Sequence, residues 1–193
     1  WFILDEKGQK LSDNSWWRIF VRALHARRKT DVAVPVHLSH TVSKEAEQHG
    51  LNVHWTKSEP LFWMETASEL GNTTGENIEI FPYIEPIASI GEVLHFLSST
   101  REPLSAWQET TYRKTARVLC PWEDKGRVMR ELIQNSDPAS TVYLDGIKEY
   151  QDTGWTLVVP DGDEPVFRLY SEADTPEEAQ NFLDRYIDII ESY

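Results

Sequence analysis

A chain of 193 residues with 40% hydrophobic and 26% charged side chains has the make-up of a soluble globular protein, long enough for two domains of ~100 residues. Its formal charge of −13 is uneven, −4 over residues 1–108 and −9 over 109–193, a field that repels nucleic acid and anionic lipid and resists phosphorylated sugars where no local cation offsets it. No run of eighteen apolar residues marks a membrane span, no basic start with an apolar stretch behind it is visible as a signal peptide, and one cysteine, Cys120, rules out an internal disulfide, so the expected location is cytoplasmic.

The chain opens on Trp1 rather than Met, which suggests a segment of something longer. Residues 2–5 read as a short strand, followed by a turn at Glu6-Lys7-Gly8. Ser12, Asp13 or Asn14 can cap a helix running to about His25, with Trp16, Ile19, Phe20, Ala23 and Leu24 on one face. Residues 32–36 form a compact apolar strand. A helix over 39–48 stops at Gly50, and residues 52–56 are the next strand. Pro60 suits the first turn of a helix over 60–70. A strand over 78–81 and a helix over 87–97, carrying Ile90, Val93, Leu94 and Leu97, complete the half. Strands separated by single helices imply parallel pairing with right-handed crossovers. This predicts one α/β domain over residues 1–100 and a polar connection over 101–114.

The second domain, 115–193, reads differently. A strand over 117–120 leads into a helix over 124–135 with Val128, Met129, Leu132 and Ile133 inward. A strand over 140–144 follows. Tyr150-Gln-Asp-Thr-Gly154 turns between extended segments, which predicts an antiparallel hairpin, with strands over 155–159 and 166–171. Thr175, Pro176 and Glu178 open the final helix with a capping box, and Ala179, Phe182, Leu183, Tyr186, Ile187 and Ile190 recur at helical spacing. Antiparallel strands with helices on one face make this an α+β domain.

Several patterns carry no chemistry. Six His and one Cys show no zinc spacing, and His37, His40 and His49 read as ordinary core or surface side chains. Ser39-His40 lacks a nucleophile elbow. The acidic stretch from Asp161 to Glu178 lacks the periodicity of a Ca²⁺ loop. Arg27-Arg28-Lys29 suits the end of the first helix, where cations complement its dipole. Trp16, Trp17, Trp55, Trp63 and Trp107 could stack on sugars, but core and interface burial is their commoner use. Trp16 and Trp17 fall on two sides of one helix, so one of them is expected to stay partly exposed.

A more specific pattern runs through the second half: Asp145-Gly146-Ile147, Gly154-Trp155, Pro160-Asp-Gly162-Asp-Glu164-Pro165, Arg168 and Glu172-Ala173. It resembles the C-terminal domain of the phosphohexomutases (phosphoglucomutase/phosphomannomutase family), which read DG(V/I), GW, R-P-S-(G/N)-T-E-P-x-x-R and E-A before the last helix. Glu123-Asp-Lys125-Gly-Arg-Val-Met129, Glu102-Pro-Leu-Ser105, Leu4-Asp-Glu-Lys-Gly8, Ser39 and Gly50-Leu-Asn-Val53 extend the likeness backwards. The resemblance implies a βαβ unit with mixed or parallel strands like the family's third domain, then the α+β, TBP-like fourth domain. The family's phosphoserine loop and its D-x-D-x-D-R Mg²⁺ loop have no counterpart here, so this chain is expected to hold no cofactor and no catalytic residue, and to lack the N-terminal domains of its parent.

The loops depart from the family more than the scaffold does. In the family an Arg, Ser and Thr hydroxyls and backbone N–H groups hold the substrate phosphate. Here the Arg position is Val159, the Ser position Asp161 and the Thr position Asp163, while Gly162, Glu164, Pro165 and Arg168 remain. Two carboxylates would then face a dianion, each repulsion costing on the order of 3–4 kcal/mol at ~5 Å and an effective dielectric of ~20. The family's G-E-x-S-G sugar loop falls on Gly71–Phe81, where Thr74, Gly75, Glu76 and Asn77 are the candidate positions and the Ser and second Gly are missing. Thr56-Lys57-Ser58-Glu59-Pro60 lacks the Gly and His of a T-K-x-G-H segment, and Glu85-Pro86 replaces a D-G pair.

The expected function is a non-catalytic phosphohexomutase-like module of a larger enzyme, for example a mannose-1-phosphate guanylyltransferase fusion, that binds sugar phosphate weakly or not at all. The competing expectations are the substrate-recognition half of an active mutase and a neutral-sugar or protein-binding module built on its Trp residues. A homo-oligomer stays open.

Overall fold

The computed structural model describes residues 2–74, 86–109 and 111–193, and the chain divides into two compact units, Trp1–Glu109 and Thr110–Tyr193.

In the first unit the N-terminal stretch is a tight turn, not the expected strand over 2–5. Only Leu4 and Lys10 form a bridge, and Asp5 Oδ1 accepts the N–H groups of Lys7 and Gln9 at 2.9 and 2.8 Å. Asp5 holds the chain in this turn because its short side chain competes for backbone donors. Helix α1 (Asp13–Ala26) starts at Ser12, whose hydroxyl accepts from Ser15 N. Strand β1 (Asp31–Pro35) pairs in parallel with β2 (Asn52–Thr56), from Asp31 opposite Asn52 to Pro35 opposite Thr56. Helix α2 (His40–Gln48) crosses between them, capped by the Ser39 hydroxyl. That is the crossover the strand–helix–strand order implies, and it gives Ser39 a structural role.

Helix α3 spans Pro60–Thr74 and helix α4 spans Pro86–Thr100. The expected strand over 78–81 lies outside the described residues. On α4 the buried apolar side chains among the described residues are Val93 and Phe96, while Ile90 and Leu94 are exposed. Trp16 and Trp17 are both buried, at 4% and 2% exposure, so neither stays open as expected. Trp17 meets Phe20 and Trp63 edge-on, and Trp63 Nε1 donates to Lys57 O. Such edge-to-face contacts cover the Trp17 indole.

The stretch expected as a connection over 101–114 is largely fastened down. A 3-10 turn at Leu104–Trp107 buries Trp107 against Phe96, with the guanidiniums of Arg18 and Arg22 at 5.8 and 5.6 Å from its ring. Gln108 Nε2 donates to Asp5 Oδ2. Glu109 accepts from Ser12 Oγ at 2.8 Å, Asn14 Nδ2 at 3.2 Å and Thr41 Oγ1 at 3.2 Å. One carboxylate therefore serves the N-terminal ends of α1 and α2, where partial positive charge gathers.

The second unit is a five-stranded antiparallel sheet in the order β3-β7-β6-β5-β4. Its strands are β3 (Tyr112–Leu119), β4 (Thr141–Val142), β5 (Ile147–Gln151), β6 (Gly154–Pro160) and β7 (Val166–Ala173). Strand β3 starts five residues earlier than expected, and the strand expected over 140–144 shrinks to two residues. Helices α5 (Trp122–Asn135) and α6 (Pro176–Glu191) share a core with the sheet through Val128, Leu132, Leu183, Tyr186, Ile190, Ile147, Val158, Phe167 and Leu169. Ile133 on α5, expected inward, is 46% exposed.

The β5–β6 hairpin turns at Asp152-Thr153, between the paired Gln151 and Gly154. A Cβ at Gly154 would fall on the Glu172 carbonyl of the neighbouring strand, so only glycine fits. Helix α6 begins as expected. Thr175 Oγ1 accepts from Glu178 N at 3.2 Å and sits 3.0 Å from the Glu178 carboxylate.

Candidate functional site

The loop between β6 and β7, residues 161–165, is fixed at both ends by sheet pairing, with Pro160 opposite Phe167. Asp161 N donates to Val166 O at 3.1 Å and Val166 N to Glu164 O at 2.8 Å. Cys120 N donates to Pro165 O at 2.8 Å, which ties the loop to the end of β3. Within this frame the N–H groups of Asp163 and Glu164 point inward, the arrangement that makes an anion-binding nest.

Asp161 fills that nest with its own carboxylate. Its Oδ1 accepts the backbone N–H of Asp163 at 2.8 Å and of Glu164 at 3.0 Å, and its Oδ2 pairs with Nε of Arg168. The Asp161 side chain is 4% exposed. The N–H of Asp163, then the guanidinium of Arg168 and the ammonium of Lys125, hold the carboxyl below the usual carboxylate range, against the opposing cost of burial. It is therefore ionised at neutral pH, and the loop's donors are committed to it.

Beneath the loop lies Lys125, which sequence reading placed only within a matching segment. It is buried, and its ammonium donates to the carbonyl oxygens of Asp161, at 2.6 Å, and of Glu164. The ring of Trp122 covers it at 3.9 Å. Helix α5 puts Trp122 and Lys125 three positions apart, hence on one face. Lys125 supplies the donors that two inward carbonyls need and fixes the path of the loop.

The other expected positions separate. Val159 is half-buried on β6, opposite Arg168 in the sheet register. Gly162 and Asp163 are exposed, so of the two carboxylates expected to confront an anion only Asp161 occupies the nest. Asp163 contributes its backbone N–H rather than its charge. Glu164 pairs with Arg117 on β3, a partner that only strand register reveals. Of the candidate sugar-loop positions, Thr74 is the last residue of α3 and its side chain lies outside the described residues, as do Gly75, Glu76 and Asn77 entirely. Among the described residues no group of three or more His, Cys, Asp or Glu could hold a metal ion, and no helix is long and apolar enough to cross a membrane.

No protein-family model matches the chain. Among curated proteins it is similar to the phosphoglucosamine mutase of Oceanobacillus iheyensis, 28% identical over 204 residues that cover 98% of this chain and 44% of the relative. It is also similar to the phosphopentomutase of Thermococcus kodakarensis, 31% identical over 104 residues, 49% of this chain and 23% of the relative. Among solved structures, a phosphoglucomutase/phosphomannomutase family protein from Burkholderia thailandensis superposes with a TM-score of 0.73 at 12% identity, over 98% of this chain and 44% of that one. An N-acetylglucosamine-phosphate mutase of the α-D-phosphohexomutase superfamily, in its substrate complex, gives a TM-score of 0.63 at 12% identity, over 98% and 46%. At that identity the structural likeness concerns the fold. The chain spans less than half the length of the relatives it matches from end to end.

Proposed function

We propose that this chain, whose homologues and structural neighbours are phosphohexomutases, serves as a module of a larger sugar-phosphate or nucleotide-sugar enzyme and does not itself grip the phosphate of a substrate. The observation that carries this reading is Asp161. A substrate phosphate would need the N–H groups of Asp163 and Glu164 and the guanidinium of Arg168, and a buried carboxylate already holds all three. Displacing it would leave an ionised carboxylate without partners beside a dianion, an arrangement disfavoured by desolvation and repulsion together. The loss of an arginine at Val159 removes a further charge-assisted contact.

In this reading the catalytic and metal-binding groups belong to other parts of the parent protein, such as a guanylyltransferase, and this chain contributes to its assembly. The alternative, a substrate-recognising half of an active mutase, is favoured by the retained Gly162, Glu164, Pro165 and Arg168. Calorimetric titration with glucose-1-phosphate and mannose-1-phosphate separates the two. The module reading expects no binding tighter than about 1 mM; sub-millimolar binding that requires the loop sinks it and supports the mutase half.

A further inference from the structure

A cleft of about 340 Å³ opens over β3 and β7, lined by Thr115, Ala116, Arg117, Arg168, Leu169 and Tyr170. The sheet register aligns Val159, Arg168 and Arg117 as one row across β6, β7 and β3. The position where a guanidinium is missing, Val159, lies on one side of Arg168. On the other side stands Arg117, a guanidinium on the neighbouring strand.

Two like charges directly opposite each other on adjacent strands are destabilising unless something offsets them. Here Asp161 and Glu164, from the loop at the end of the row, each pair with one of the two guanidiniums. Those pairings use Nε of Arg168, whose guanidinium also bonds the Tyr170 side chain, and one terminal nitrogen of Arg117, whereas a guanidinium offers five N–H donors. Both side chains are more than half exposed, at 51% and 61%. Tyr170 extends the wall of the cleft, with the Arg113 guanidinium 5.3 Å from its ring, and Thr115 adds a hydroxyl. Three of the cations in a strongly acidic half of the chain therefore gather on one face of two strands.

We propose that the Arg117–Arg168 row is a binding site for a small ligand bearing an oxyanion, phosphoryl or carboxyl, seated on the sheet face rather than in the loop. Planar guanidiniums side by side suit a bidentate oxyanion, and the cleft has room for more than the anion alone. The site goes beyond the module reading and does not depend on it, because the loop stays closed by Asp161 while the row binds.

The test is an NMR titration of the ¹⁵N-labelled chain with inorganic phosphate and, separately, malonate, at ionic strength matched with sodium chloride. The expected result is saturable shifts at Thr115, Arg117, Arg168 and Tyr170, with a dissociation constant on the order of 1 mM. Arg117→Met should weaken binding at least tenfold and Arg117→Lys less. The tighter of the two anions names the group recognised. Two results overturn the proposal: no saturable shift beyond that given by chloride, or shifts centred on residues 161–164 that persist in Arg117→Met. The second would also count against the closed loop, whereas the first would leave it standing.

Discussion

The carboxylate of Asp161 and the guanidinium of Arg168, seven residues apart across the β6–β7 loop, form an ion pair whose acidic member is buried and whose basic member is half-exposed. The asymmetry matters. A buried carboxylate needs its partners, while a half-exposed guanidinium retains water on its outer side. The pair therefore acts as a latch on the loop, fixed at its acidic end.

Replacing Asp161 with Asn keeps the shape and removes the charge. We expect a lower melting temperature at pH 7, since Arg168 and two backbone donors lose an anionic acceptor. The folded-state carboxyl lies below its unfolded value, so its contribution is full above about pH 4 and fades as pH falls through the lowered folded value. Thermal unfolding of wild type and Asp161→Asn should differ at pH 7 and converge in acid. Equal melting temperatures at pH 7 would contradict the latch.

Lys125→Met should open the loop from beneath. It leaves the carbonyls of Asp161 and Glu164 without their buried donor, at a cost of about 1–3 kcal/mol by urea unfolding. Amide exchange at residues 161–164 should speed up more than exchange in α6. Uniform acceleration throughout the second unit would instead assign Lys125 to general packing.

Lys148 on β5 carries a different signature. Burial drives its ammonium down to about 7, opposed by Glu172 and helped by Arg113, while the Trp155 ring lies 4.1 Å away. The unfolded chain holds that proton up to about pH 10.4, so between about pH 7 and 10 the unfolded state binds more protons and stability rises with pH. One group can contribute up to about 1.4 kcal/mol per pH unit. Urea unfolding at pH 7, 8 and 9 should show this slope in wild type and lose it in Lys148→Met. An unchanged slope in the variant would place its source elsewhere.

Gly154→Ala should disrupt the β5–β6 hairpin, because the new Cβ meets the Glu172 carbonyl and neither strand can retreat without breaking its pairing. We expect a loss of at least about 1–3 kcal/mol by chemical denaturation. A loss below about 0.5 kcal/mol would mean that the strands separate more easily than the register implies.

Local rules made much of this fold legible. Thr175 caps its helix as its hydroxyl suggests, Ser12 is the one of three candidates that caps α1, Pro60 and Pro176 each open a helix, and residues 52–56 form the expected strand. Long-range terms overrode local ones elsewhere. Trp16 and Trp17 point to different sides of α1, yet both are covered, because helix periodicity says nothing about how many neighbours a helix has. The stretch at Leu104–Glu109 looks like a linker by composition but is fastened through Trp107, Gln108 and Glu109 to residues about a hundred positions away. At the site, the foreign residues in the loop were visible in the sequence, but the outcome of the change was not. Repulsion at Asp161 was the natural expectation. The fold instead turns that carboxylate inward onto the loop's own donors, which depends on Lys125 and Arg168 arriving from other elements.

The most direct check of the closed loop is a crystal structure of the chain soaked with glucose-1-phosphate at high concentration. The account predicts that the Asp161 carboxylate stays on the N–H groups of Asp163 and Glu164 and on Arg168, with no phosphate on those two N–H groups. A phosphate seated between Gly162 and Arg168, with Asp161 swung out, would contradict it.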